Sequence, residues 1–279
     1  GTVTISGGTI DQGVQLSGGN LTVTGGSFGG GSRLNSASSA SIQGGAFEDL
    51  TILGSSFAEI SGGNLGDGFQ VNADSTARIL GGEFRLNGMI LEEVDTVGET
   101  FTLDLPVGSL LSGTLADGST FAFLRSREDF LAADSLTLEN VSLSSPSSSI
   151  TVPGDPVPTG ARAGQVVAVN AGGALGNNFV ATNGSTLNIN GGSTGNNLEA
   201  VGAEINMLEG EIGRQSDAFA GSVFNIHNGL LRQDFEAHNG STINVQGGVI
   251  GSEFEALDGS TINLSGGNVN RGFSANAGS

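Results

Sequence analysis

Glycine pairs recur along this chain every 18 or 19 residues, and that period constrains the fold more than any other feature. The glycine closing each pair, or its equivalent, falls at Gly8, Gly26, Gly45, Gly63 and Gly82, with spacings of 18, 19, 18 and 19. The series resumes at Gly173, Gly192, Gly210, Gly229, Gly248 and Gly267, spaced 19, 18, 19, 19 and 19. A fixed period of this size marks a repeat architecture, in which one unit cannot bury its own apolar face and neighbours must stack.

Each repeat holds three apolar clusters. The first is an in–out–in triplet: Val3-Thr4-Ile5 and Leu21-Thr22-Val23 early, then Leu187-Asn188-Ile189, Phe224-Asn225-Ile226, Ile243-Asn244-Val245 and Ile262-Asn263-Leu264 late. A single apolar residue follows the glycine pair, as at Phe28, Phe47, Ile212, Leu231 and Ile250. The third cluster alternates again, as in Phe179-Val180-Ala181, Phe235-Glu236-Ala237 and Phe254-Glu255-Ala256. Alternation with period two is the pattern of a strand, not a helix. Coils stacked at about 4.8 Å would turn the three clusters into three parallel sheets around one core. The expected fold is therefore all-β: a parallel β-helix, or β-solenoid, with three short strands per 18–19-residue coil. The period fits neither a nonapeptide calcium roll nor a strict hexapeptide left-handed helix, so right-handed winding is expected.

The period breaks in mid-chain, giving four expected regions. Residues 1–90 read as a β-solenoid segment of five coils, 91–143 as a small antiparallel β module, 144–165 as a Ser/Pro-rich linker, and 166–279 as a six-coil segment. The module rests on the alternating Phe101–Leu105, on a hairpin signal at Ala116-Asp117-Gly118-Ser119 and on the short strand Leu136–Leu138. It would either cap the first segment or project from it. Pro146, Pro153, Pro156 and Pro158 argue against regular pairing in the linker.

Composition limits the partners. With 49 Gly but only 5 Pro, and 37% hydrophobic residues, the glycines belong to an ordered array rather than to disorder. The chain carries 28 acidic residues against 9 basic ones, all Arg, for a net charge of −19. That balance argues against nucleic acid, whose binding needs Lys/Arg clusters, and against an anionic membrane surface. No apolar run is long enough for membrane insertion as a helix. The absence of Cys removes disulfides and thiolate metal sites.

The stretch Gly82-Glu-Phe-Arg-Leu-Asn-Gly88, the later Leu111-Ser-Gly-Thr-Leu-Ala-Asp-Gly-Ser119, and Phe121 and Phe123 together resemble a module that follows Gly-rich repeats in exported proteins of planctomycete-type bacteria. The repeat Gly-Ser-Thr-Ile-Asn-x-x-Gly-Gly is similar to theirs as well. The resemblance covers most of the chain and implies extracellular or cell-surface placement, with no activity attached. The sorting tail that often ends those proteins is not seen here.

Two polar columns stand out. Asn188, Asn206, Asn225, Asn244 and Asn263 recur at the outward centre of the first triplet. Stacked amides there would hydrogen-bond above and below as a structural ladder. A flat ice- or glycan-facing array with Thr186, Thr242 and Thr261 is the alternative, weakened by the Val and Glu at equivalent places. Glu199, Asp217, Glu236 and Glu255 share the outward position of the third cluster. Carboxylates about 4.8 Å apart repel by roughly 1 kcal/mol per pair even at water-like dielectric. Such a column either splays into solvent or is bridged by calcium, the one cofactor this pattern suggests.

Catalysis is not expected. Arg214, Arg232 and Arg271 fall in turns after the glycine pair, where they read as solvated charges. Asp11, Asp49 and Asp67 read as loop residues without a second acid for a hydrolytic pair. His227 and His238 lie eleven residues apart on different faces, which argues against a shared metal. A chain that opens at Gly1 reads as a processed product or a fragment. It starts in strand, and Gly278-Ser279 is the dipeptide that precedes Thr-Ile-Asn-Leu elsewhere, so both ends are expected to be open and in register. Such ends can add head to tail without closing. The expected role is a structural subunit of an extracellular filament or surface layer, with a second copy as partner. A spacer or adhesive stalk of a longer surface protein, binding glycan or another cell, is the alternative. A polysaccharide-active enzyme ranks third.

Overall fold

The parallel stacking implied by the repeat is present in both units of the computed structural model, which describes residues 1–72, 74–125 and 135–279, with the backbone alone at Asp67. The chain forms two units, Gly1–Ser145 and Pro146–Ser279, each a β-solenoid. One short 3-10 turn, Glu92–Val94, is the only helical element among the described residues.

In the first unit, β1 (Thr2–Ile10), β2 (Gln15–Phe28), β3 (Ser32–Ile52), β4 (Phe57–Val71) and β5 (Thr76–Leu86) lie parallel in that order. Each inward column runs through register partners, as in Ile5, Val23, Ile42, Ile60 and Ile79. These strands are longer than the triplets predict. They continue through the glycine pairs, where the register slips as in a β-bulge. Phe28 and Phe47 stack at 4.5 Å between consecutive coils.

The residues read as a separate module complete this same unit. They form β6 (Met89–Ile90), β7 (Thr100–Leu103), β8 (Leu110–Leu115), β9 (Thr120–Leu124) and β10 (Leu136–Asn140). Strand β10 pairs in parallel with β5, placing Leu136 opposite Ala77 and Leu138 opposite Ile79, so it supplies one more rung. Strand β7 then pairs antiparallel with β10 and ends the path. The β8–β9 hairpin docks antiparallel on β5. Its Phe121 and Phe123 enter the core, with Phe123 stacked at 4.8 Å on Phe69. The Asp117 carboxylate in the hairpin turn accepts the Gly63 N–H at 2.9 Å. Of the two placements left open by the sequence, the module therefore caps. Residues 126–134 of it lie outside the described residues.

The second unit starts earlier than its glycine pairs suggest. One sheet orders β11 (Ser149–Val152), β13 (Val166–Asn170), β15 (Thr186–Ser193), β17 (Glu204–Ile212), β19 (Val223–Ile226), β22 (Thr242–Val245) and β25 (Thr261–Leu264). On its flank, β20 (Leu230–Leu231), β23 (Val249–Ile250) and β26 (Asn268–Val269) follow the same stacking. A further sheet orders β12 (Gly160–Ala161), β14 (Val180–Ala181), β16 (Glu199–Ala200), β18 (Asp217–Ala218), β21 (Glu236–Ala237), β24 (Glu255–Ala256) and β27 (Ser274–Ala275). Strands β11 and β12 fall in the stretch read as a linker. The four prolines there flank the two strands, where no ladder N–H is required, while Ile150 and Val152 keep the alternation. The unit has seven rungs, one more than the glycine pairs mark.

Identical positions sit above one another in this unit. Leu187, Ile205, Phe224 and Ile243 form one inward column, and Ala181, Ala200, Ala218, Ala237 and Ala256 another, all at or below 1% exposure. Each large buried side chain stabilises the stack by roughly 1.5–3 kcal/mol. The glycine pairs are needed because the turn leaves no room. Gly210 has φ of +111°, and a Cβ there would stand 2.2 Å from the Gly192 carbonyl oxygen of the coil below. The serine of the Gly-Ser-Thr motif closes another turn. The hydroxyls of Ser185, Ser241 and Ser260 donate to the carbonyl three residues back at 2.7, 2.6 and 2.7 Å.

Candidate functional site

The two polar columns marked by the sequence occupy different sheets of the second unit. The asparagine column lies on the triplet sheet. Asn206, Asn225, Asn244 and Asn263 each donate Nδ2–H to the Oδ1 of the preceding Asn, at 3.1, 2.9, 2.9 and 2.9 Å. It begins at Asn188, because the previous rung places Ala168 in that position. Every amide is used along the stack, which makes the column a structural ladder.

The acidic column lies on the outward face of the other sheet. Glu199 pairs in register with Asp217, Asp217 with Glu236, and Glu236 with Glu255. Its members differ sharply in environment. Glu199 is 8% exposed, Asp217 is half-buried, and Glu236 and Glu255 are exposed. The column is thus not one uniformly solvated face.

Alternation puts residues two apart on the same face, so Val201, Phe219 and His238 stand beside Glu199, Asp217 and Glu236. The His238 ring stacks on Phe219 with centroids 4.4 Å apart. Its Nε2 lies 3.3 Å from Asp217 Oδ1 and 3.6 Å from Glu236 Oε2. The ligand atoms of Asp217, Glu236 and His238 all lie within 4.8 Å of one another, the one such three-residue group found among the described residues. Glu199 and Glu255 do not belong to it. Burial pushes the Asp217 carboxyl above its ordinary range, with the His238 hydrogen bond and charge pulling it partly back. Glu236 is pushed up by burial first, then by the Asp217 and Glu255 carboxylates, against the pull of His238.

His238 gains partners here that the sequence reading did not weigh. Setting His238 against His227 hides its partners. The useful comparison is with Glu236, two residues before, and with Asp217, one coil below Glu236. Period and parity together carry that signal. The remaining candidates lie elsewhere. Arg232 is paired with Glu211 rather than simply solvated, with Nη2 and Oε2 at 3.0 Å, whereas Arg214 and Arg271 are exposed. Asp49 is not a lone loop acid. It sits in β3 beside Glu48, accepting the N–H groups of Gly31 and Ser32 at 2.6 and 3.0 Å, while Glu48 accepts that of Gly30 at 2.9 Å. Asp11 is in a turn, and Asp67 is in β4 with its side chain outside the description.

Comparison with known proteins finds no matching family model, no matching curated protein and no matching solved structure.

Proposed function

We propose that this chain is a non-catalytic structural element of the bacterial exterior, a subunit of a filament or surface layer whose solenoid is continued by the first rung of a second copy. One observation carries the reading: each coil offers the next the same inward residues in register, as Leu187, Ile205, Phe224, Ile243 and Ile262 do through five rungs, so a coil of this solenoid is a template for another of its own kind. The triplet Val3-Thr4-Ile5 matches Ile262-Asn263-Leu264 in pattern, so a copy laid on that rung would meet apolar columns in register. Each side chain newly covered would add roughly 1.5–3 kcal/mol, and the contact, being heterologous, does not close on itself.

The resemblance of the repeat to Gly-rich proteins exported by planctomycete-type bacteria supports placement outside the cell. The high acidic charge and the regular Asn ladder suit a solubilised, rigid element. The same repeated register also suits a spacer or adhesive stalk, in which further coils of the same kind continue the stack within one longer protein. Negative-stain microscopy and sedimentation of the purified chain separate the two. Fibres that lengthen with protein concentration are expected, and monodisperse short rods at every concentration would defeat the filament reading.

A further inference from the structure

We propose that Asp217, Glu236 and His238 form a binding site for a zinc-like divalent cation, held through Asp217 Oδ1, Glu236 Oε2 and His238 Nε2 with solvent completing the shell. Four ligands about 2.0–2.1 Å from a tetrahedral zinc stand about 3.3–3.4 Å from one another. The imidazole nitrogen lies 3.3 and 3.6 Å from the two carboxylate oxygens, close to that spacing. The hydrogen bond to Asp217 accounts for one of the two carboxylates but not for the other. A single Nε2–H serves one acceptor well, and 3.6 Å is beyond a hydrogen bond.

The site is also built rather than accidental. Register pairing of β18 with β21 sets Asp217 against Glu236. Stacking on the buried Phe219 ring holds the imidazole in place, so little rotamer freedom remains to be lost on binding. Glu236 is the exposed member and supplies both the adjustment and the route of entry. A cation here would join two successive coils and relieve the repulsion between their carboxylates.

The ligand chemistry selects the ion. One imidazole nitrogen with two carboxylate oxygens suits zinc and neighbouring transition metals, whereas calcium takes six to eight oxygens. The converging group offers two carboxylates and one imidazole, with Glu199 and Glu255 outside it.

The test is calorimetry of the whole chain, freed of metal with EDTA, titrated with zinc chloride and separately with calcium chloride, alongside visible spectroscopy with cobalt(II). One zinc per chain is expected, together with cobalt d–d bands that zinc removes and calcium does not. His238→Asn should weaken zinc binding by at least about 100-fold, since even outer-shell changes at metal sites cost about 10- to 100-fold. His227→Asn should leave it unchanged. Glu236→Gln alters only an exposed side chain and serves if His238→Asn misfolds. It should weaken zinc by about 10-fold or more. Zinc binding unaltered by these changes, no stoichiometric zinc in the parent chain, or displacement of cobalt by calcium would each overturn the proposal.

Discussion

His238 Nε2 lies 3.3 Å from Asp217 Oδ1, although 21 residues separate them in the chain. The separation is one coil of 19 plus a step of two, so stacking supplies the first part and strand alternation the second. Neither residue would reach the other in an isolated repeat. Any chemistry at this point therefore depends on adjacent coils staying in register.

Glu236→Gln should raise stability slightly at pH 7 when metal is chelated. A carboxyl whose folded-state pKa is raised binds its proton more tightly folded than unfolded. Its contribution favours the fold fully below the unfolded pKa and is lost as pH rises through the folded one. At pH 7 the charged group is a net cost, no more than about 1 kcal/mol for so exposed a side chain. Urea melts at pH 7 should show the gain, and melts at pH 3 should show none. A loss of stability at pH 7 would contradict a Glu236 carboxyl raised by burial and by its acidic neighbours.

Asn225→Ala should cost about 1–2 kcal/mol. Asn225 donates to Asn206 and accepts from Asn244, both at 2.9 Å, so the change removes two ladder bonds of about 1 kcal/mol each. Asn263→Ala removes one bond, to Asn244, and should cost about half as much. Chemical denaturation of both variants measures the ratio. Equal costs would mean that the ladder adds nothing beyond its individual side chains.

Phe235→Ala should cost about 3–5 kcal/mol, the range for a large aromatic removed from a close-packed core. Phe235 is 1% exposed and meets Phe224 edge-on and Phe254 face-on, each at 5.2 Å. Phe273→Ala, at 40% exposure in the same column, should cost well under half of that in dilute protein. If copies stack, the cost at Phe273 grows with protein concentration, which concentration-dependent thermal melts would reveal.

Gly213→Ala should be severely destabilising, by about 3 kcal/mol or more, or should prevent folding. Its Cβ would stand 1.9 Å from the Gly195 carbonyl oxygen, a backbone atom that cannot swing aside. Gly176 lies one coil below Gly195, and a Cβ there meets nothing within 4 Å. Gly176→Ala should be neutral or slightly stabilising through the unfolded state. Comparing the two melting temperatures tests whether close coil contact, rather than turn conformation, demands glycine here.

The solenoid itself is legible in the sequence. A period of 18 or 19 residues, marked by glycine and filled by alternating apolar triplets, admits little but stacked parallel strands. The inward columns through Ile205, Phe224 and Ile243 and the outward Asn ladder follow from that period alone. Two boundaries did not follow. The stretch 144–165 looked irregular because proline is judged as an interruption, yet Pro146, Pro153, Pro156 and Pro158 all fall outside the strands. The extra rung that β10 adds on β5 was hidden because Leu136–Leu138 carries no glycine pair to mark it.

The local pattern determined which side chains point inward, which point outward and how often each position returns. Only the folded stack decided what those outward side chains meet. Glu199 and Glu255 share one column, yet one is buried and the other exposed, and no repeat unit differs enough to say so. His238 became a partner of Asp217 because strands about 4.8 Å apart bring successive coils within reach of one another's side chains. Contacts of that kind are properties of the pile, not of the repeat. They exist only once the whole chain has paid the conformational entropy of wrapping the next coil.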